Sequence, residues 1–391
     1  MNAFEFTGLP TRVVLAEGAL EHIAEHVERA GGTRIMLVCG GKTGRTRLVA
    51  RTKSALGARL VAALDSIVEH SSTNLVEEGA RLASAEHVDL LLAIGGGSAS
   101  DTAKAIALLL AEGGPLERHH TVFVPPDHYV QQPLPNPKLP IIVIPTTLSA
   151  AEVTPGLGIR SEADGKKLLF WDLKLVPRLI VLDPVANLEV PASLMATTGM
   201  NALAHCIEGL YSKVRNPISE GQALQGIRLL YEALPAMARS PMDSDARGRA
   251  LVGAHLSGMV IANARVGIHH GVCHCLGALG GLSHGAANSV FLPFAMRYNL
   301  EVAASQLKLA ALAIGLDVRK LSEREAALRA IEATEALKRA IGVPLRLRDT
   351  PLDRALFPAI AEYALADRGL YFNPRPTTSA AAVIELLEQA W

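Results

Sequence analysis

The sequence predicts two domains of different class, an α/β domain built on a parallel sheet and an all-α domain that follows it. Between about residues 33 and 184, short runs of Val, Ile and Leu alternate with helical patterns, as expected for parallel strands buried on both faces. Beyond Pro191 the pattern changes to long amphipathic or wholly apolar helical stretches. A chain of 391 residues also exceeds what one hydrophobic core usually serves.

Four near-continuous apolar runs are the predicted strands. They are residues 35–38, 89–94, 141–144 and 179–182. Residues 112–140 lie between the second and third runs and are polar and rich in proline, including Pro125-Pro126 and three prolines within 133–137. Because proline interrupts regular hydrogen bonding, this segment predicts a long surface loop.

The second half has helical patterns at residues 219–234 and 246–264. The domain boundary is expected between Asp183-Pro184 and Val190-Pro191, where a strand ends and prolines interrupt the chain. This predicts an α/β domain at residues 1–186 and a helical domain at residues 187–391. A cleft between the two is the expected place for ligands to meet.

The charge balance favours a small-molecule partner. Lys plus Arg and Asp plus Glu are equal at 38 each, so no basic excess would attract nucleic acid or an anionic membrane. The N-terminal residues lack a basic region followed by an apolar core, and no apolar run approaches the roughly 20 residues that span a bilayer. We therefore expect a soluble, cytoplasmic protein. Its four cysteines have no disulfide spacing and are expected to be packing residues.

A glycine-rich segment directly follows the run at 89–94. Gly95-Gly96-Gly97-Ser98 leads into a helical pattern that contains Asp101 and Lys104. Glycines let a ligand approach the backbone, and a helix start offers unpaired N–H groups to an anion. A pyrophosphate group is therefore the expected ligand, which would make residues 1–186 a dinucleotide-binding domain. The alternative is a tight turn without a ligand, in which Ser98 and Asp101 form a capping box.

A second polar loop, from Thr146 and Thr147 to Glu152, directly follows the run at 141–144. Ligands of an α/β sheet bind outside the carboxyl ends of its strands, so the two loops should be neighbours. Together they favour a nucleotide, although hydroxyls in such loops also commonly satisfy the backbone of a turn.

The most informative feature of the second half is a group of histidines with one carboxamide. Asn201 and His205 are four residues apart, as are His270 and His274, so each pair can share one helix face. Together with His284 they predict a Zn²⁺ or Fe²⁺ site in which an amide replaces the usual carboxylate. Since the amide carries no charge, metal affinity should be low or absent. The alternative is a set of core histidines that bind no ion.

These residues, in this order, resemble the iron-containing (group III) alcohol dehydrogenase family over nearly the whole chain. The resemblance implies a dinucleotide-binding domain followed by a helical domain, with metal and substrate in the cleft. It also implies NAD(H) or NADP(H) as cofactor. The implied cofactor-binding residues are Gly40, Gly95, Gly96, Gly97, Ser98, Asp101, Thr146, Thr147 and Lys167. For Lys167 the alternative is a solvated surface lysine.

The same resemblance places Asn201, His205, His270 and His284 at the four metal-ligand positions, the first of which is normally Asp. His274 falls on a further active-site histidine implied in proton relay. The closest branch is maleylacetate reductase, whose members are generally described as working without added metal. Three segments match that branch: 199–205 with its Asn, 269–274 with its paired His, and Asn-Pro-Arg-Pro at 373–376.

Several positions depart from the branch, which tends to have Lys where this chain has Gly271 and Pro where it has Ser283. Residues 148–151 and the segment 112–140 also differ. The departures leave the substrate open. At the end of the first strand many family members have an Asp that would repel a 2′-phosphate, and the matching residue here is Gly40. We therefore expect NADPH to be tolerated as well as NADH.

Three functions are consistent with the sequence. The first is hydride transfer from NAD(P)H to a carbonyl or activated double bond, like the reduction of maleylacetate to 3-oxoadipate. In it, His270 and His205 would stabilise the oxyanion as imidazolium or imidazole N–H donors, and His274 would return a proton. The second is a dehydrogenase of small alcohols or aldehydes that depends on Fe²⁺ or Zn²⁺. The third is a nucleotide-binding protein without turnover.

The sequence also offers two candidate substrate-binding arginines and a possible subunit interface. Arg265 and Arg375 are candidate partners of a substrate carboxylate, with surface ion pairing as the alternative. The apolar helical half could supply a two-fold interface, so a homodimer is expected.

Overall fold

The computed structural model describes residues 3–67, 71–124, 128–163 and 165–391. The chain divides into an α/β unit, within residues 8–190, and a helical unit formed by residues 3–7 and Pro191–Trp391. The short N-terminal segment joins the helical unit because the Thr7 N–H donates to Asn263 Oδ1 (2.8 Å). The predicted fold class is confirmed.

The strands and helices of the α/β unit have the following bounds. The strands are β1 (Arg12–Leu15), β2 (Ile35–Gly40), β3 (Leu60–Ile67), β4 (Leu90–Gly95), β5 (Val122–Val124), β6 (His128–Val130), β7 (Ile141–Pro145), β8 (Gly156–Arg160), β9 (Lys167–Trp171) and β10 (Leu179–Leu182). The helices are α1 (Ile23–Arg29), α2 (Arg47–Leu56), α3 (Thr73–Ala85) and α4 (Gly97–Glu112).

One parallel sheet organises this unit, with strand order β1-β10-β7-β4-β2-β3. The four predicted runs are its four inner strands, β2, β4, β7 and β10, whose residues are almost all buried. The outer strands were not predicted. β1 is largely exposed and β3 only partly buried, so neither has the continuous apolar run that burial on both faces produces.

The segment 112–140 is more ordered than a loop, which corrects the prediction for it. It contains the antiparallel hairpin β5–β6, although Pro125-Pro126 lie outside the described residues. The side chain of Lys138 is buried, and its Nζ contacts the Glu112 carboxylate, Asp172 Oδ2 (3.4 Å) and the Asn136 carbonyl (2.7 Å). The polar composition suggested exposure, but here the charged groups satisfy one another inside the unit.

The helical unit contains α5 (Ala192–Tyr211), α6 (Pro217–Arg239), α7 (Ser244–Ala264), α8 (Ile268–Ala278), α9 (His284–Ala313), α10 (Glu323–Ile341), α11 (Phe357–Ala364), α12 (Gly369–Phe372) and α13 (Ala380–Ala390). Several of its helices start at side-chain caps: Asn216 and Ser322 each form a capping box, and Ser283 caps α9. The two predicted helical stretches lie within α6 and α7.

Helix α5 is the centre of this unit and packs against α6, α7 and α9. Every residue from Gly199 to Tyr211 is buried. A Cβ on Gly209 would lie 2.1 Å from Val260 Cγ1, so glycine is required where α5 and α7 cross. Polar side chains in this part of α5 are therefore held in the interior, where each needs a partner.

No single helix among the described residues is long and apolar enough to cross a membrane. Only α7 and α8 taken together, which meet at 105°, reach that length and composition.

We predict that Lys138→Met destabilises the protein by about 3–5 kcal/mol, because it removes the cation from the buried Glu112 carboxylate and the buried one of the two cations beside Asp172. Lys174→Met is the matched control. Lys174 pairs with the same Asp172 (3.2 Å), but its side chain is 42% exposed, so its loss should cost under about 1 kcal/mol. Urea unfolding of the two variants measures both values, and equal destabilisation would contradict the role assigned to Lys138.

Candidate active site

The glycine loop and the second polar loop are in contact within the α/β unit. β4 and β7 are neighbours, with Gly95 opposite Pro145, and the Thr146 N–H donates to the Gly95 carbonyl (2.9 Å). A Cβ on Gly96 would lie 3.1 Å from Thr147 Cγ2, and one on Gly97 would lie 3.3 Å from Ala151 Cβ. The glycines are therefore required by the close approach of the second loop as well as by any ligand.

Helix α4 begins at Gly97 without a side-chain cap, because its N-cap residue is Gly96. The alternative capping box does not form: Asp101 Oδ2 instead accepts the Gly158 N–H (3.1 Å). An uncapped helix start leaves its first N–H groups for an anion. The residues present thus fit a pyrophosphate group.

Lys104 holds the second loop against α4. It is fully buried, and its Nζ donates to the carbonyls of Ala151 (2.7 Å), Thr154 (2.6 Å) and Gly156 (3.2 Å). Burial lowers the pKa of Lys104 to about 8 and raises that of the neighbouring Glu152 to about 7. Lys104 therefore shapes the loop that a cofactor would meet.

The other predicted cofactor residues lie in the same unit. Gly40 is the last residue of β2. The loop that follows it approaches the glycine loop, since a Cβ on Gly95 would lie 4.0 Å from Thr43 Oγ1. Lys167 is exposed at the start of β9, and its side chain crosses Gly158, where a Cβ would lie 2.2 Å from Lys167 Cε. Lys167 is thereby directed toward Asp101. Burial raises the pKa of Asp101, and the positive charges of Lys104 and Lys167 offset part of that rise.

The predicted histidine cluster is assembled within the helical unit. Asn201 and His205 come from α5, His270 and His274 from α8, and His284 is the first residue of α9. The rings of His205 and His270 stack with centroids 4.7 Å apart, and His284 lies 5.7 Å from His270 and 5.9 Å from His274. His270 Nε2 is 3.1 Å from Asn201 Oδ1. All five residues therefore converge.

Glu208, one turn beyond His205 on α5, was not predicted and supports the cluster from behind. It is completely buried. Its Oε1 accepts the N–H groups of Gly267 (2.8 Å) and His269 (3.0 Å) at the start of α8, and its Oε2 accepts from His270 Nδ1 in a short contact. The spacing Asn201, His205, Glu208 could have revealed it, because residues four and seven positions apart share one helix face.

The charge of Glu208 is balanced by His269. Burial disfavours the carboxylate, but the imidazoles of His270 and His269 outweigh it and lower the pKa of Glu208. Burial likewise disfavours the imidazolium of His269, but the Cys273 sulfur and the Glu208 carboxylate outweigh it and raise its pKa. His269 Nδ1 lies 3.6 Å from Glu208 Oε2, and its Nε2 donates to the Asn288 carbonyl (3.1 Å). A paired buried carboxylate is far less costly than an isolated one.

Hydrogen bonds fix the tautomers of three imidazoles. A carboxylate only accepts, so the Nδ1 of His270 carries the proton donated to Glu208, and the Nδ1 of His274 carries the one donated to Asp367 Oδ2 (2.8 Å). The Ser257 hydroxyl donates to the Ala254 carbonyl (2.8 Å), so it accepts from His205 Nδ1 (3.2 Å). Each neutral imidazole therefore has its lone pair on Nε2.

The sequence predicts His205 and His270 as N–H donors to an oxyanion, but in these tautomers the proton of each ring is on Nδ1. Burial lowers the pKa of His205 well below its usual value and that of His270 to about 4. Both rings are therefore neutral near pH 7, and their Nε2 atoms carry no hydrogen to donate. They are equipped to act as lone-pair donors instead.

The donor set fits a divalent cation. Three imidazoles at positions 205, 270 and 284 and the amide of Asn201 offer the nitrogen and oxygen ligands that Zn²⁺ and Fe²⁺ accept. Nδ1–H groups bonded to acceptors behind the ring are the usual support of metal-ligating histidines. Glu208, His269 and His270 also bring ligand atoms within 4.8 Å of one another, but the oxygens of Glu208 are occupied by N–H donors, so we assign this group as support.

Gly271 and Ser283, two departures noted in the sequence, have structural causes. A Cβ on Gly271 would lie 2.6 Å from Leu370 Cδ1 and 3.3 Å from Asp367 Oδ1, so a bulky side chain here would displace the partner of His274. Ser283 is the N-cap of α9, and its hydroxyl oxygen accepts the Ala286 N–H (3.3 Å). It fixes the start of the helix that carries His284.

Asn373 is completely buried and caps α8. Its Oδ1 accepts the Ile268 N–H (3.2 Å), and its Nδ2 donates to Asn299 Oδ1 (2.8 Å) and to the Arg375 carbonyl (2.8 Å).

The two candidate arginines are Arg375 and Arg265. The guanidinium of Arg375 lies over the ring of Tyr298 at 4.2 Å and donates to the Tyr298 carbonyl (2.9 Å). Arg265 ends α7 with φ +63°, a conformation uncommon for a side chain of its size.

Comparisons with known proteins agree with this architecture. Residues 10–184 match the model for iron-containing alcohol dehydrogenases, and residues 195–391 match the C-terminal model of the Fe-containing alcohol dehydrogenase family. The chain belongs to the iron-containing alcohol dehydrogenase family. It is therefore an enzyme, an NAD(P)-dependent oxidoreductase, and the non-catalytic alternative is set aside.

Relatives within the family have different substrates in their names. Maleylacetate reductase from Burkholderia cepacia is 32% identical over 391 residues, 100% of this chain and 98% of its own. Lactaldehyde reductase from Escherichia coli (strain K12) is 31% identical over 382 residues, 96% of each chain. A solved 1,3-propanediol oxidoreductase has a TM-score of 0.93 at 29% identity and covers 100% of both chains. Similarity alone therefore does not select a substrate.

We predict that Gly369→Ala destabilises the protein by about 1–3 kcal/mol, because the added Cβ would lie 2.6 Å from the Gly267 carbonyl and 3.0 Å from Asp367 Oδ1. Gly221→Ala is the control, since Gly221 lies on α6 with nothing within 4 Å of its Cβ position. That change should be neutral or stabilise by up to about 1 kcal/mol. Urea unfolding distinguishes the two, and an unchanged Gly369→Ala would contradict the close packing of α12 on α8.

Proposed function

We propose that this enzyme reduces the carbonyl group of a small molecule, or a double bond conjugated to that carbonyl, with hydride from NAD(P)H, with Fe²⁺ or Zn²⁺ held by Asn201, His205, His270 and His284. The observation that carries the proposal is that the Nδ1 atoms of His205 and His270 are both tied to acceptors, which leaves their Nε2 lone pairs for a cation. When bound, such a cation acts as a Lewis acid that polarises the carbonyl.

The chain's own residues supply the remaining functions. The glycine loop and the start of α4 bind the pyrophosphate of the cofactor, and Lys104 holds the adjoining loop in shape. After hydride transfer, protonated His274 gives the proton on Nε2 to the reduced substrate and takes another from solvent, while Asp367 keeps the other ring proton on Nδ1. The His274 side chain is 32% exposed, so solvent can supply that proton.

The experiment that tests this proposal measures NAD(P)H oxidation with maleylacetate, 2-oxo acids and short aldehydes. The enzyme is assayed as purified, after chelation, and after Fe²⁺ or Zn²⁺ is restored. We expect activity to be lost on chelation and recovered with metal. Full activity in metal-free enzyme would contradict the metal-dependent mechanism, and no oxidation with any compound would contradict reduction of a carbonyl or conjugated double bond in this panel.

Two observations favour maleylacetate reduction as the reaction. Asn201 stands where the family normally has Asp, as in the maleylacetate reductase branch, and Asn373 of the branch-like Asn-Pro-Arg-Pro segment supports α8 directly. The lactaldehyde and propanediol relatives favour small aldehydes instead. The relative activity toward maleylacetate and short aldehydes separates the two.

We predict that Asn201→Asp tightens Co²⁺ binding, used here as a probe of the site, by roughly tenfold or more, equivalent to about 1.4 kcal/mol. The carboxylate would add a negative charge beside His270 Nε2, which is 3.1 Å from the amide. Asn74→Asp, an exposed position on α3, adds the same charge outside the helical unit and is the control. Equal affinities for Asn201→Asp and wild type by titration would show that position 201 does not reach the cation.

The loop after β2 bears on coenzyme choice. Gly40 lacks the acid that would repel a 2′-phosphate, and the exposed cations Lys42 and Arg45 follow it. A carboxylate on the neighbouring strand, Asp65, lies beside Gly44 but pairs with Lys53 Nζ (3.6 Å). We therefore propose that NADPH is accepted as well as NADH.

We predict that the double variant Lys42→Gln, Arg45→Gln raises KM for NADPH roughly tenfold, about 1.4 kcal/mol, while KM for NADH changes little. Arg51→Gln on α2 is the control, because Arg51 is paired with Glu21 (2.6 Å). Steady-state kinetics with both coenzymes provides the measurement. A parallel rise in both KM values would mean that the two cations do not meet a 2′-phosphate.

A further inference from the structure

We infer that Glu208 is a positioning residue that selects which nitrogen of His270 carries the proton, and thereby makes His270 face the site with a lone pair rather than an N–H group. The inference rests on the proposed function only in assigning that lone pair to a metal ion. The selection itself follows from contacts within the helical unit.

The two oxygens of Glu208 have separate tasks. Oε1 accepts backbone N–H groups of Gly267 (2.8 Å) and His269 (3.0 Å), and Oε2 accepts from His270 Nδ1. The first task anchors the start of α8, where the helix dipole favours a negative charge. The second fixes the tautomer of a ring that α8 carries. One buried side chain thus sets both the position and the polarity of His270.

Anchoring alone could be the whole role of Glu208, and Asn373 allows the two roles to be separated. Asn373 Oδ1 accepts the N–H of Ile268 (3.2 Å). Ile268 lies between Gly267 and His269, whose N–H groups donate to Glu208. The contacts described for its side chain are with Ile268, Asn299 and the Arg375 carbonyl, and not with an imidazole. A change at Asn373 therefore disturbs the start of α8 while leaving the partner of His270 Nδ1 in place.

Glu208→Gln has the opposite effect. The amide has nearly the same shape as the carboxylate, and its oxygen can still accept the backbone N–H groups of α8. Its NH₂ group then faces His270 Nδ1, which must become the acceptor. The ring proton moves to Nε2, and the lone pair that faced Asn201 is replaced by an N–H group. Glu208→Asp keeps a carboxylate and should retain the wild-type tautomer.

The test uses the full chain labelled with ¹⁵N in its histidines, freed of metal, and reads the two ring nitrogens by long-range ¹H–¹⁵N correlation. The His270 signals are assigned by their loss in His270→Gln. We expect a protonated Nδ1 in wild type, Glu208→Asp and Asn373→Ser, and a protonated Nε2 in Glu208→Gln. Co²⁺ titration of the same samples should show Kd raised about 10–100-fold in Glu208→Gln, and by much less in Asn373→Ser.

Two results would overturn the inference. One is a protonated Nε2 on His270 in wild type, which needs no variant and so does not depend on the folding of Glu208→Gln. The other is an equal loss of Co²⁺ affinity in Glu208→Gln and Asn373→Ser, which would make anchoring the whole role. If wild type binds no Co²⁺ but its tautomers are as expected, the metal in the proposed function fails and the assignment of Glu208 stands.

Discussion

The candidate site depends on one buried carboxylate at the start of one helix. Glu208 projects from α5, the innermost helix of its unit, and accepts N–H groups from the backbone and the ring of α8. Without a counter-charge such a carboxylate would be strongly disfavoured, and His269 provides it. The same contacts place His270 beside Asn201 and orient its ring. Packing, charge balance and ligand geometry are therefore linked at one residue.

The tautomers of the imidazoles determine what the Asn201 amide faces. From the sequence, the loss of a carboxylate suggested that the histidines replace the metal as donors to an oxyanion. In the structure, the acceptors behind His205 and His270 give their Nε2 atoms lone pairs. Asn201 can meet such a lone pair with its NH₂ group or a cation with its oxygen, because a rotated carboxamide has the same shape. In the proposed function, the amide would weaken the metal site without converting it into an N–H donor site.

The sequence was informative where one physical constraint acts alone. Burial on both faces made β2, β4, β7 and β10 visible, and helical spacing made His205 and His274 visible as members of one cluster. It failed where partners are distant in the chain. Asp367 lies 93 residues from His274, and Lys138 is buried only because Glu112 and Asp172 surround it. Glu208 was within reach of the sequence but was hidden by its place in an apolar helix. The edge strand β1 left no pattern because it is mostly exposed.

X-ray absorption spectroscopy of the enzyme loaded with Zn²⁺ shows whether the imidazoles hold the ion, because it reports the atoms around it. We predict a first shell of nitrogen and oxygen at about 2.0–2.2 Å, with scattering from three imidazole rings that falls to two in His270→Gln. A shell of oxygens with no imidazole scattering, or one that His270→Gln leaves unchanged, would contradict it.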